Sequence, residues 1–128
     1  MSTHVHSPAL PGPHAGRFDG QVAIVTGGAS GVADVNGERA QALANELGAR
    51  ASAQTFNAAD VASIQALVLG TVDRFGRLDV LHNNAAISTP EVHQRDSNAI
   101  DIDFEVWDQV MAVNLRGYLA GCKYALPT

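Results

Sequence analysis

The run Thr26-Gly27-Gly28-Ala29-Ser30-Gly31 follows four apolar residues, Val22-Ala23-Ile24-Val25, and this junction constrains the fold more than any other feature. A buried strand that ends in glycines lets backbone N–H groups approach a pyrophosphate. A helix opening behind the turn adds positive potential, so the segment reads as a dinucleotide phosphate cradle. Such a cradle normally continues through a helix and a second strand to an acidic residue roughly 20 positions further on. Here Asp34 comes three residues after Gly31. Three extended residues span only about 10 Å, whereas a parallel crossover must retrace a strand of about 17 Å and return. The usual strand-helix-strand unit does not fit between Gly31 and Asp34.

At 128 residues, 46% hydrophobic and 16% charged, the chain has the balance of one globular domain. A net charge of −5 and eight scattered basic residues argue against nucleic acid or an anionic membrane surface as partner. No apolar stretch approaches the roughly 20 residues of a membrane span. The single cysteine, Cys122, excludes an internal disulfide framework and fits a reducing cytoplasm; it reads as a small buried hydrophobe. Residues 1–18 are rich in Pro, His, Ser and Gly and read as a disordered leader before a domain at 19–128. His4, His6 and His14 lack the Cys or carboxylate partners of a metal centre, so no metal is expected.

Along the domain, Val22–Val25 predicts a strand covered on both faces. Residues 37–47 place Ala40, Leu43, Ala44 and Leu47 on one helical face and end at Gly48. Ala51–Phe56 reads as a strand, and Asp60 as the cap of a helix over Val61–Phe75 that turns Ile64, Leu67, Val68, Val72 and Phe75 inward. Leu78–His82 is a third strand, delivering Asn83-Asn84-Ala85-Ala86 at its carboxyl end. A polar loop over 88–103 leads to Asp103, the cap of a helix over Phe104–Ala125. Strands alternating with helices predict an α/β layer fold with a parallel sheet.

These segments together resemble the amino-terminal half of a short-chain dehydrogenase/reductase, with a truncated Rossmann-like parallel sheet. Asp19 to Gly31 is similar to that family's opening strand and Thr-Gly-x-x-x-Gly-x-Gly turn. Asp60-Val61 resembles the pair that closes the third strand and touches adenine, and Gly76 to Ala86 the strand ending in Asn-Asn-Ala-Gly, with Ala86 for the last Gly. Trp107 to Leu115 resembles the helix carrying the catalytic Asn, here Asn114. The resemblance implies nicotinamide dinucleotide contacts from Gly27, Ser30, Gly31, Val32, Asp34, Asp60, Val61, Asn83 and Ala85. An Asp at the place of Asp34 implies NAD in preference to NADP. Alcohol or ketone substrates and hydride transfer follow from the same likeness. A phosphate-loop NTPase is excluded, because no Lys followed by Ser or Thr stands after the glycines.

The departures are as specific. Ala33 stands where the third glycine falls, and Val32–Asn36 resembles the end of the family's second strand joined directly to the turn, as if the first helix were deleted. Tyr118 is followed four residues on by Cys122 and Tyr124 by Thr128, so no Tyr-x-x-x-Lys pair exists, and the segment carrying the family's Ser is not reached. Hydride transfer to a carbonyl needs that acid. The sequence therefore supports three readings: a catalytically incompetent, truncated member of the family; a binding module that retains adenosine contacts through Asp60, Val61 and Asn83 and sequesters nucleotide or pairs with a full-length relative; or a nucleotide-independent interaction protein. The deletion further predicts a helix starting at the Asn36 cap, in preference to a single helix from about Val32 to Leu47 capped by Ser30, and in either case the strand 51–56 paired parallel with 22–26. The apolar positions Val106, Val110, Val113, Leu115, Leu119 and Leu126 extend around more than one helix face, which predicts a homo-oligomer.

Overall fold

The computed structural model describes residues 18–27, 33, 34, 36–87, 89–95 and 98–128. The predicted leader lies almost wholly outside the described residues. β1 (Ala23–Val25) is followed by β2 (Ala33–Asp34), α1 (Gly37–Leu47) and β3 (Gln54–Thr55). Then come α2 (Val61–Phe75), β4 (Val80–His82) and a short α3 (Pro90–Arg95) inside the loop expected to be irregular. The long final helix is α4 (Phe104–Met111), a π-helical segment (Ala112–Gly117) and α5 (Tyr118–Ala125).

Helix boundaries follow from local chemistry. The Asn36 side chain accepts from Arg39 N, Asp60 from Ala62 N and Asp103 from Glu105 N, each satisfying a donor that the first turn leaves open. At the other end of α2, Gly76 takes a left-handed φ of 77° and donates its N–H to Val72 O at 2.7 Å.

Pairing corrects one expectation. β1 pairs parallel with β4, Ala23 opposite Val80, whereas β3 pairs parallel with β2, Ala33 opposite Gln54. The stretch 51–56 therefore does not lie beside 22–26. Because the Asn36 cap starts α1 only at Gly37, Ala33 and Asp34 stay extended and take the β3 edge. A cavity of about 380 Å³ separates β1 from Ala51, Ser52 and Gln54.

Ile24, Phe56, Ile64, Leu67, Val68, Ala85 and Ala120 form the core, where α2 and α5 pack over β1 and β4. Two helix positions expected inside are not: Leu47 is 58% and Phe75 37% exposed. Both line the cavity between the strand pairs, where no side chain of the described residues covers them. The amino ends of β1 and β4 are held by Asp79, which accepts from Val22 N at 2.8 Å and forms an ion pair with Arg77 at 2.6 Å. These two hydrogen bonds hold the Asp79 carboxyl below the usual carboxylate range, the Arg77 contribution being the larger.

Candidate functional site

The carboxyl ends of β1 and β4 meet at Thr26. Its Oγ1 accepts from Asn84 N at 2.9 Å and Ala85 N at 3.1 Å and lies 3.3 Å from His82 O, to which it can donate. The Asn84 side chain returns a bond to Thr26 O at 3.1 Å. Gly27, at φ 70°, sits so close to the neighbouring loop that a Cβ would lie 2.5 Å from Ala85 Cα. Glycine is required here both by backbone conformation and by packing. The space a Cβ would fill belongs to Ala85, which is itself buried.

The final helix closes over these strand ends. Asn83 Nδ2 donates to Tyr118 O at 3.3 Å and contacts Cys122 Sγ at 3.6 Å. Cys122 is exposed, not buried as expected, because it stands on the α5 face beside the outer edge of β4. Asn114 lies in the π-helical segment and accepts from Ile87 N at 2.9 Å, pinning the loop that leaves β4. Two glycines let the helix come this close. A Cβ at Gly117 would meet Ala58 O at 2.5 Å, and one at Gly121 would meet Asn83 Oδ1 at 2.7 Å. Arg116 adds a bond to Ala59 O at 3.3 Å. Only about 10 Å³ remains free where Thr26, Ala58, Asn83, Ala85, Gly117 and Gly121 converge, room for one water at most.

Of the residues expected to touch a cofactor, Gly27, Asn83 and Ala85 are thus brought together, and Asn114 joins them through Ile87. Asp60 and Val61 stand on the adjoining loop and first turn of α2, Asp60 as a cap and Val61 packed against the core. Asp34 ends β2, in the second strand pair. Ser30, Gly31 and Val32 lie outside the described residues. Sequence reasoning missed Thr26 as the hub and the π-helical segment. The spacing of Gly117 and Gly121, four apart on one helix face, was the available signal for close approach.

An open cleft of about 870 Å³ lies alongside, between Ala59, Ile87, α3 and α4. Glu91, Glu105 and Asp108 line it, and its one arginine, Arg95, is already engaged by Asp103 and Glu105. The residues present fit a dinucleotide unevenly. Among the described residues no helix starts directly behind Gly27 to receive a pyrophosphate, and the cleft is acidic.

Parallel strands flanked by helices, with a glycine turn at the carboxyl end of the first, define a Rossmann-like α/β fold. A family profile described as enoyl-(acyl carrier protein) reductase matches residues 20–128. D-threitol dehydrogenase of Mycolicibacterium smegmatis is 34% identical over 127 residues, covering 84% of this chain and 46% of the enzyme. Momilactone A synthase of Oryza sativa subsp. japonica is 39% identical over 145 residues, covering 97% and 48%. Among solved structures, a 3-ketoacyl-(acyl-carrier-protein) reductase from Brucella melitensis, complexed with NADH, superposes with a TM-score of 0.72 at 27% identity, covering 84% of this chain and 49% of that one. The chain belongs to the short-chain dehydrogenase/reductase family. It spans about half the length of the curated relatives it matches. An alignment of 127 residues that uses 84% of a 128-residue chain also means that the relative carries residues within the aligned stretch that this chain lacks. Among the described residues no helix is long and apolar enough to cross a membrane.

Proposed function

We propose that these 128 residues form a reductase-family core that engages the nucleoside end of a nicotinamide dinucleotide weakly, NAD in preference to NADP, and does not by itself transfer hydride. The observation that carries this reading is the placement of α1: its capped N-terminus follows β2, not β1, so among the described residues no helix stands behind the glycine turn to receive a pyrophosphate. The acidic cleft beside Ile87 weakens dinucleotide affinity further. Residues missing from within the alignments to relatives agree with an internal deletion behind the turn.

Bound nicotinamide supplies a hydride donor or acceptor. Within this chain, Asp60 and Val61 would face the adenosine, and Asp34 would accept from ribose hydroxyls and repel a 2′-phosphate. Asn114 already holds the Ile87 amide, and no Ser with a Tyr-x-x-x-Lys pair stands in the 128 residues to protonate a substrate oxygen. Losing the acid alone removes about 10²- to 10⁴-fold of rate.

Calorimetry tests the binding: a Kd in the millimolar range is expected for NAD, about −4 kcal/mol, weaker still for NADP, with Asp34→Ser reducing the difference. Micromolar affinity, or nicotinamide turnover by the purified chain that Asn114→Ala abolishes, would overturn the reading. A second reading, a module that pairs with an intact homologue, is favoured by the outer edge of β4, which pairs with no described strand, and by exposed Leu115, Leu119 and Leu126. Capture of a full-length relative by the immobilised chain separates the two.

A further inference from the structure

We infer that Asn36-Gly37 is a self-modifying site, where the Asn36 side-chain amide is lost as ammonia and a carboxylate takes its place at the junction of β2 with α1. The Gly37 backbone nitrogen gives up its proton to hydroxide and attacks Asn36 Cγ. A cyclic imide forms as the Cγ–Nδ2 bond breaks and ammonia leaves. Water then opens the imide at either carbonyl. One opening gives an aspartyl link, the other an isoaspartyl link that carries an extra methylene in the main chain. Only water enters the balance, and nothing is oxidised or reduced.

The structure presents both reacting groups. Asn36 is exposed and stands just outside α1 with φ −91° and ψ 91°, so it can rotate without unwinding the helix, and water has access. Gly37 N–H occupies the first helical position, which the helical ladder leaves without an acceptor. Among the described residues it has none. Asn36 Oδ1 accepts from Arg39 N at 3.2 Å. A donor there steadies the oxygen as it gathers negative charge during attack on Cγ, and the positive end of α1 favours loss of the Gly37 proton.

Packing keeps glycine in the second place. A Cβ at Gly37 would strike Thr55 Oγ1, on the strand that pairs with β2. The residue whose nitrogen is least screened is therefore the one that the contact between α1 and β3 admits. Asn45, in the same helix and also exposed, is the contrast. Glu46 follows it with a full side chain and with its N–H inside the helical ladder, which closes the same attack. A carboxylate at position 36 still caps α1 and places negative charge at its positive end. The isoaspartyl link instead lengthens the chain between β2 and α1.

The test incubates the intact chain in heavy-oxygen water at a series of pH values, followed by trypsin digestion in ordinary water and mass spectrometry. Arg17 and Arg39 bound a fragment, 18–39, whose one asparagine is Asn36, and the fragment 40–50 holds Asn45 alone. Heavy oxygen is expected at position 36, at a rate that rises in proportion to hydroxide, and not at Asn45. Rates in the folded chain and in guanidinium should agree within about tenfold. Gly37→Ala combined with Thr55→Ala, which removes the obstructing hydroxyl, should fold and slow uptake about tenfold or more. Asn36→Asp, the aspartyl product made directly, should melt no lower than the parent chain. The inference is overturned if the folded chain keeps the amide while the unfolded chain loses it. Conversion of Asn45 as fast as Asn36, or of the paired variant as fast as the parent, also overturns it. So does a lower melting temperature in Asn36→Asp, since the product would then not cap α1.

Discussion

Asn114 Oδ1 accepts a hydrogen bond of 2.9 Å from the backbone N–H of Ile87, tying the middle of the final helix to the loop that leaves β4. The bond is partly buried, so removing the acceptor leaves a donor short of a partner. Asn114→Ala is expected to destabilise the chain by about 1–2 kcal/mol. Asn114→Asp keeps an acceptor and should recover most of that loss. Urea titration of the three proteins checks this; an unchanged midpoint in Asn114→Ala would remove the structural role.

Gly27 and Gly20 separate backbone strain from crowding. Both have positive φ, 70° and 74°, but a Cβ on Gly20 meets nothing within 4 Å while one on Gly27 meets Ala85 at 2.5 Å. Gly20→Ala should cost about 1 kcal/mol. Gly27→Ala should cost more, about 2–4 kcal/mol in all, because the loop carrying Ala85 must also move. Equal thermal shifts would show that the loop yields freely.

Acid stability should report Asp79. Its folded pKa lies below the ordinary carboxylate value, through Arg77 first and the Val22 amide second. A depressed carboxyl contributes stability above its unfolded pKa, about 3.9, and loses it as pH falls through the folded value. The contribution is thus fully present at neutral pH and disappears below about pH 4. Asp79→Asn should flatten the acid limb of the melting temperature against pH while lowering the neutral plateau. An acid limb identical to that of the parent chain would refute the assignment.

Association should map to the last helix. Leu115, Leu119 and Leu126 are 65%, 70% and 85% exposed, and the outer edge of β4 beside them pairs with no described strand. Such a stripe beside an open edge favours self-association. Sedimentation at tens of micromolar should show dimers or larger species, shifted toward monomer by Leu119→Asp. A monodisperse parent monomer would contradict the expectation.

Much of this was legible where local chemistry decides. Asn36, Asp60 and Asp103 announce their helices because a short polar side chain before an apolar period has one economical use, and Gly76 and Gly48 close two of them. The core positions Ile64, Leu67 and Val68 follow from the helical period. Strand order was not legible, because pairing joins residues far apart, such as Ala23 with Val80, and no periodicity names a partner. Leu47 and Phe75 misled for the same reason: their apolar character is local, but what covers them is not. The role of Thr26 was equally hidden, since a hydroxyl at a strand end becomes a hub only when Asn84 and Ala85 arrive beside it.

The separation of the strands into two pairs bears on the order in which the chain assembles. β2 and β3 join Ala33 to Gln54, with α1 in between, whereas β1 and β4 join Ala23 to Val80. Closing the longer loop costs roughly 0.9 kcal/mol more in chain entropy, and local pairs form ahead of distant ones. The β2-α1-β3 unit is therefore the early piece, and the junction of Gly27 with Asn84 and Ala85 condenses last. On that ordering, the end of the molecule where Thr26 and Gly27 meet Asn84 and Ala85 is also where native-state opening begins.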